Sequence, residues 1–277
     1  AKDLNINLGD KFTLLISGRE VLGTVKNFRE VNYRDLNINF AMIINSSFAK
    51  KLPSQILSTV KFENVKNFEY WEDPLTGFFF YAPSFAAGEG NLYSQLQSFD
   101  WYYPSNKWEF FKATEWLRKT KNIVTLMEVG VGKGFFLEKA QSLGLRSTGV
   151  ELNPVAASFT RKKGFDVLEK SLADIRSESA DACWDVICSF QVLEHLADPL
   201  AFIHDATSLL CKDGLFIAAV PNSDVATKFD PDRSLDLLEQ PPHHMAHWSR
   251  SVFEYLPRVT SLKLIEIAYE PLAAQHV

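Results

Sequence analysis

Residues 128–134 read Glu-Val-Gly-Val-Gly-Lys-Gly, an acid followed by three alternate glycines at the end of an apolar run that starts at Leu126. Glycine lets backbone approach a ligand where any Cβ would collide, and it tolerates the positive φ of a tight strand-to-helix turn. Gly130, Gly132 and Gly134 are therefore expected to form a nucleotide-cofactor loop. A pyrophosphate-binding loop would place its third glycine one step later, where this chain has Phe135, and would gain nothing from a carboxylate beside two phosphates. Glu128 instead suits a ligand that is cationic at that end. A second acid, Glu151, stands about twenty positions beyond the loop, the offset at which a doubly wound sheet hydrogen-bonds ribose hydroxyls. Further on, Pro241 to Ser249 hold His243, His244 and His247, and His195 lies in Gln191 to Pro199. Imidazole titrates close to neutral pH, which makes these rings candidates for taking a proton from a weak nucleophile.

The elements that must hold these residues follow from periodicity and breakers. Phe135 to Leu143 predicts a helix with apolar residues at 135, 136 and 140, and Ser147 to Val150 a strand ending on Glu151 and Leu152. Pro154 to Lys163 predicts a helix stopped by Gly164, and Phe165 to Leu168 the next strand. Trp184 to Phe190 has the near-continuous apolar character of a central parallel strand covered on both faces. Leu200 to Leu210 is expected to be helical, Lys212-Asp213-Gly214 to turn, and Leu215 to Val220 to form a fifth buried strand before Pro221-Asn222.

Several strings carry a family resemblance. The pattern E-x-G-x-G-x-G resembles the first motif of the class I S-adenosylmethionine-dependent methyltransferases. Val192-Leu193-Glu194-His195-Leu196-Ala197-Asp198-Pro199 resembles the V-L-E-H-L-x-D-P segment of the branch containing ubiquinone-pathway and many sugar-modifying enzymes. The stretch from Leu210 to Asn222, the P-P-H-H-x-x-x-[FW]-S loop at Pro241 to Ser249, and Tyr102-Tyr103 with Lys107-Trp108-Glu109 look like the same branch. The resemblance implies an α/β, Rossmann-like doubly wound sheet and S-adenosylmethionine as cofactor. It further implies cofactor contacts from Glu128, the three glycines, Glu151, Leu152, Ser171, Leu172, Phe190 and Gln191, with Glu194 and His195 at the rim. Tyr102 and Trp108 would belong to a lid, although the aromatics around them could equally be core. Asp174 is as well read as a surface carboxylate as an adenine contact.

Methyl transfer from a sulfonium is an in-line displacement, so alignment and a base are what the protein contributes. His243, His244 and His195 are the candidate bases. His244 comes first, because tandem histidines are expected to turn one ring inward and the other outward. For His195 an intrahelical hydrogen bond is an equal alternative. Without a Cys or spaced His pair near the loop, no metal is expected. The expected reaction is methylation of an oxygen on a small polar acceptor, a sugar or glycan precursor. C- or N-methylation and a non-catalytic cofactor- or glycan-binding protein are the alternatives, and a dehydrogenase is disfavoured by Glu128 and Phe135.

With 277 residues, 46% hydrophobic, the chain can bury a full core. A net charge of −5 offers no general attraction to nucleic acid or anionic lipid. Charge is uneven, with a net +3 in residues 1–65 and −8 in the remainder. Cys183, Cys188 and Cys211 form no C-x-x-C and are expected to be buried thiols. Together with the lack of a signal peptide or long apolar run, they suggest a soluble, cytoplasmic protein.

Residues 1–65 are expected to form a small all-β module, with strands at Phe12 to Ile16, Glu20 to Val25, Asn39 to Ile44 and Ser58 to Phe62, and a turn at Ser17-Gly18-Arg19. This region loosely resembles β-sandwich appendages of bacterial glycan-assembly proteins, but Glu30 and Asn39 stand where that pattern has Asp and Gly. An aromatic hairpin connector over 66–84, turning at Asp73 to Gly77, would lead into the catalytic domain, 85–277. Relatives place a cysteine-rich zinc module at this point; this chain has no Cys there. Leu262 to Tyr269 would be a sixth strand, and Glu270 to Val277 are too short and polar for the seventh that the family's sheet carries.

Overall fold

The computed structural model describes residues 11–16, 19–24, 69–82, 93, 96, 102–178, 182–224 and 239–271. It divides the chain into two units, Ala1–Asn67 and Phe68–Val277. In the first, β1 (Lys11–Ile16) and β2 (Arg19–Thr24) pair antiparallel as expected, with Ile16 opposite Arg19, so Arg19 belongs to the second strand and not to the turn. The expected strands over 39–44 and 58–62, and Glu30 and Asn39, where the chain departs from the glycan-module pattern, lie outside the described residues.

In the second unit, β3 (Glu69–Glu72) and β4 (Phe79–Ala82) form the expected hairpin. Asp73 holds its turn by accepting hydrogen bonds from the Thr76 amide and hydroxyl. Helix α1 spans Trp108–Lys119. The main sheet then builds from β5 (Thr125–Val129), β6 (Arg146–Val150), β7 (Asp166–Leu168), β8 (Trp184–Phe190) and β9 (Leu210–Ala219). All pairs are parallel, in the order β7-β6-β5-β8-β9. The connections are α2 (Phe135–Ser142), α3 (Pro154–Lys162), α4 (Leu172–Glu178) and α5 (Pro199–Ser208). After β9 come β10 (Ala246–His247), which pairs with β4, and α6 (Arg250–Val259).

Alternation along the central strands explains the layering. Leu126, Val186 and Cys188 face one cluster with Phe136, Leu137 and Ala140 of α2 and Phe110 of α1. Met127, Val129 and Ile187 face the other, with Ile175 of α4 and Ala206 of α5. Helix starts are set by local chemistry: Asn153 Oδ1 accepts from the Val155 amide at 3.0 Å ahead of α3, and Asp198 Oδ1 from the Ala201 amide at 2.9 Å ahead of α5, each followed by Pro at the first helical position. Because the chain leaves β5 toward β6 and returns to the other side at β8, the order reverses between β5 and β8. Ligands bind in the crevice that such a reversal opens at the carboxyl ends of the strands.

Three expectations are corrected. Lys212-Asp213-Gly214 lies inside β9 as an irregularity, not before it: Trp184 pairs with Leu210 but Val186 with Leu215, and Asp213 takes a φ of 63°. Leu262 to Tyr269 forms no strand. Its Leu264, Ile265 and Tyr269 are exposed, and Glu266 is bound to α1 through Lys112 Nζ at 3.0 Å and Trp116 Nε1 at 2.6 Å. Cys183 and Cys211 form a disulfide, brought together by the β8–β9 pairing with Cα atoms 4.9 Å apart, and only Cys188 is a buried thiol. The argument from reduced thiols to a cytoplasmic setting therefore falls. No described helix is long and apolar enough to cross a membrane.

Candidate active site

A cavity of about 960 Å³ opens at the carboxyl ends of β5, β6 and β8. Its floor is the turn after β5. Gly130 and Gly132 take φ of 76° and 51°; a Cβ at Gly130 would lie 2.5 Å from Val192 Cγ2, and one at Gly132 2.7 Å from Tyr103 Cε1. Neither position can hold a side chain without displacing the cavity wall. Gly130 lines the cavity, whereas Gly132 and Gly134 support it from behind, Gly132 O accepting from Thr160 Oγ1 at 2.7 Å.

Both predicted acids stand in this cavity. Glu151 joins the two loops: Oε2 accepts from the Gly132 amide and Oε1 from the Asn153 amide, each at 2.9 Å. Burial raises its pKa, and these backbone donors oppose the rise. Each carboxylate oxygen keeps a further lone pair for a ligand hydroxyl. Glu128 is 2% exposed, and its Oε2 finds no hydrogen-bond partner among the described residues. Burial pushes it well above the usual carboxylate range, with Lys107 pulling the other way.

The walls contain most of the remaining expected residues. Leu152, Ser171 and Leu172 line one side; Phe190, Gln191, Tyr102 and Trp108 line another. Of the aromatics near the lid, Tyr102 and Trp108 line the cavity, and Phe110 both belongs to the core cluster and lines the cavity. Asp174 is a surface capping group, accepting from Ser171 Oγ at 2.6 Å.

The histidines converge on the far side. Leu193–His195 is a single 3₁₀ turn, and His195 Nδ1 lies 2.5 Å from the carbonyl oxygen of His243, 48 residues away. This bond is not intrahelical. A carbonyl only accepts, so Nδ1 carries the hydrogen and Nε2 the lone pair. Burial and the neighbouring His243 and His244 keep the His195 pKa well below its usual value. His244 Nδ1 lies 3.1 Å from Glu239 Oε2, which likewise leaves Nε2 as the acceptor. His243 Nε2 is 3.3 Å from Tyr102 Oη. The expectation of one inward and one outward ring is corrected: His243 and His244 are both buried, both line the cavity and stack face to face at 4.5 Å, because 241–243 form a turn and 244–245 are not in a strand. His247 packs against Phe79 in the small sheet.

Two backbone bonds hold this loop, Met245 N to Glu194 O at 2.7 Å and Tyr81 N to Met245 O at 2.9 Å. Glu194 is buried, neither carboxylate oxygen has a hydrogen-bond partner among the described residues, and burial pushes its pKa up to about 7. Sequence reasoning did not pick out Glu239 or Lys107. Lys107 sits inside the motif ahead of Trp108, a usable signal; Glu239 is one acid among many until the turn brings it to His244.

A methyltransferase-domain family model matches residues 67–263. The chain belongs to the class I S-adenosylmethionine-dependent methyltransferases. It is 27% identical over 114 residues to a Mycolicibacterium smegmatis protein named a probable S-adenosylmethionine-dependent methyltransferase, covering 40% of this chain and 42% of that one. To a ubiquinone biosynthesis O-methyltransferase of Methylobacterium sp. it is 30% identical over 103 residues, covering 36% and 41%. This methyltransferase thus spans less than half the length of these curated relatives. Among solved structures, a methyltransferase in complex with the Haloferax volcanii Trm112 activator aligns with a TM-score of 0.47 at 19% identity, covering 61% of this chain and 77% of that one.

Proposed function

We propose that this methyltransferase moves a methyl group from S-adenosylmethionine to an oxygen of a small polar acceptor, with His244 as the base. The cofactor fits the residues present. A buried carboxylate oxygen at Glu128 without a donor among the described residues suits its ammonium group, Glu151 its ribose hydroxyls, and Ser171, Leu172 and Leu152 the adenine side, while Tyr102 and Trp108 line the same cavity. When bound it supplies a sulfonium-activated methyl group. An acceptor hydroxyl beside it would lose its proton to His244 Nε2 as its oxygen takes up the methyl group, the cofactor leaving as a thioether.

The observation that carries this reading is the Glu239–His244 pair, a carboxylate fixing an imidazole's tautomer at the same cavity as Glu128 and Glu151. His195 and His243, which line the same cavity, are the neighbouring candidates and would orient the acceptor. An oxygen acceptor is also supported by the O-methyltransferase relative. A carbohydrate acceptor rests on the resemblance within residues 1–65, which we assign as a separate β module ahead of a hairpin over 66–84 and a catalytic domain over 85–277.

The test is His244→Ala. Calorimetry should find S-adenosylhomocysteine affinity within about threefold of the parent, while transfer of labelled methyl to small hydroxyl acceptors falls by roughly 10²–10⁴. Unchanged turnover would remove His244 from the mechanism, and NMR of the product would expose a C- or N-methylated atom.

A further inference from the structure

We propose that His195, His243 and His244 form a binding site for one first-row divalent cation, Zn²⁺ being the best match, with the Glu194 carboxylate as its anionic partner. The ligand from outside the loop that the sequence reading did not find is His195, and one ligand atom from each of the three residues lies within 4.8 Å of the others. With metal–nitrogen bonds of about 2.0–2.1 Å, neighbouring ligands of a tetrahedral site stand roughly 3.4 Å apart, so the ligand atoms need to close by up to about 1.4 Å and the stacked His243 and His244 rings to turn out of parallel as the ion binds.

Two further observations point to a cation. The first is what lies behind the rings. His195 Nδ1 is engaged by the His243 carbonyl and His244 Nδ1 by the Glu239 carboxylate. Outer partners of this kind fix the tautomer of metal-binding histidines, leaving the Nε2 lone pair of each for the ion. The second is Glu194. Its side chain is 1% exposed, both oxygens lack a hydrogen-bond donor among the described residues, and Oε1 stands 3.9 Å from His195 Nε2. A buried carboxylate with no donor is costly, and a dication beside it removes that cost. Imidazole nitrogens with one carboxylate favour zinc and its neighbours over magnesium or calcium, which prefer oxygen ligands.

The ion's place in catalysis rests on the function proposed above; its binding does not. An acceptor hydroxyl coordinated to it would be acidified and would lose its proton to solvent. With zinc bound, His244 would be a ligand and not the base, so the two roles are alternatives for this residue: methyl transfer by the chelator-stripped protein supports the base, and transfer restored only by zinc supports the ligand.

The full chain, stripped with chelator, is titrated with ZnCl₂ by calorimetry and with CoCl₂ by visible absorption. One equivalent of zinc should bind at micromolar affinity or tighter, Co²⁺ should give ligand-field bands, and His195→Gln and His243→Gln should each weaken binding at least tenfold. S-adenosylhomocysteine titration of the same samples reports whether each variant is folded, and it separates failure of the metal site from failure of the cofactor reading. A folded parent protein that takes up no stoichiometric zinc, or folded variants with unchanged zinc affinity, would overturn the proposal.

Discussion

Glu128 is buried beside a cavity with an oxygen that no donor among the described residues reaches, so its ionised form is disfavoured until a cation arrives. The folded-state pKa lies above the ordinary value of 4.5. As pH rises through the window from that value to the folded one, the unfolded chain gives up its proton first, and stability falls; below the window nothing is lost. Glu128→Gln should therefore melt higher than the parent at pH 8 in the absence of ligand, by about 1.4 kcal/mol for each unit of the shift, with the difference vanishing near pH 4. The same variant should bind S-adenosylhomocysteine on the order of tenfold more weakly, because the ammonium loses a charged partner. A variant that melts no higher at pH 8 would mean that the carboxyl has a donor in solution. At this scale the residues readable in the chain were those whose chemistry needs only a local offset. Glu128, the glycines and Glu151 qualify, because one strand, one turn and one helix fix their spacing. The Glu239–His244 and His195–His243 contacts were unreadable, since each depends on how a turn folds back across the sheet.

The disulfide staples β8 to β9 at their amino ends, the edge of the sheet opposite the cavity. Its loop of 28 residues in sequence separation implies a contribution of about 3–4 kcal/mol through the unfolded state. Reduction, or Cys183→Ser with Cys211→Ser, should lower the melting temperature and leave S-adenosylhomocysteine affinity within about threefold, since Phe190 and Gln191 emerge at the other end of β8. Loss of affinity on reduction would show that the strand ends are coupled. Element prediction succeeded where burial on both faces imposed a pattern, as in β5 and β8, and where Asn153-Pro154 and Asp198-Pro199 announced a helix. It failed at Lys212 to Gly214, whose turn-like composition is absorbed by an irregular strand. It failed again at Leu262 to Tyr269, where β-like residues are held by Glu266 to the side of α1.

For the whole molecule, the doubly wound sheet was foreseeable because strand and helix patterns alternate from residue 125 to 219. Less foreseeable was the partnership of β4 with β10, elements more than 160 residues apart that only tertiary folding can match. That partnership places Met245 between the hairpin and the turn after β8, its amide held by Glu194 and its carbonyl by Tyr81. In a deuterium-exchange experiment the Met245 amide should consequently resist labelling as strongly as those of β4, and both should be released in one cooperative opening. Fast labelling of Met245 beside a protected β4 would mean that the imidazole-bearing turn breathes on its own. Otherwise residues 241–245, which form neither helix nor strand, behave on the timescale of minutes to hours as a fixed strap between the hairpin and the turn after β8.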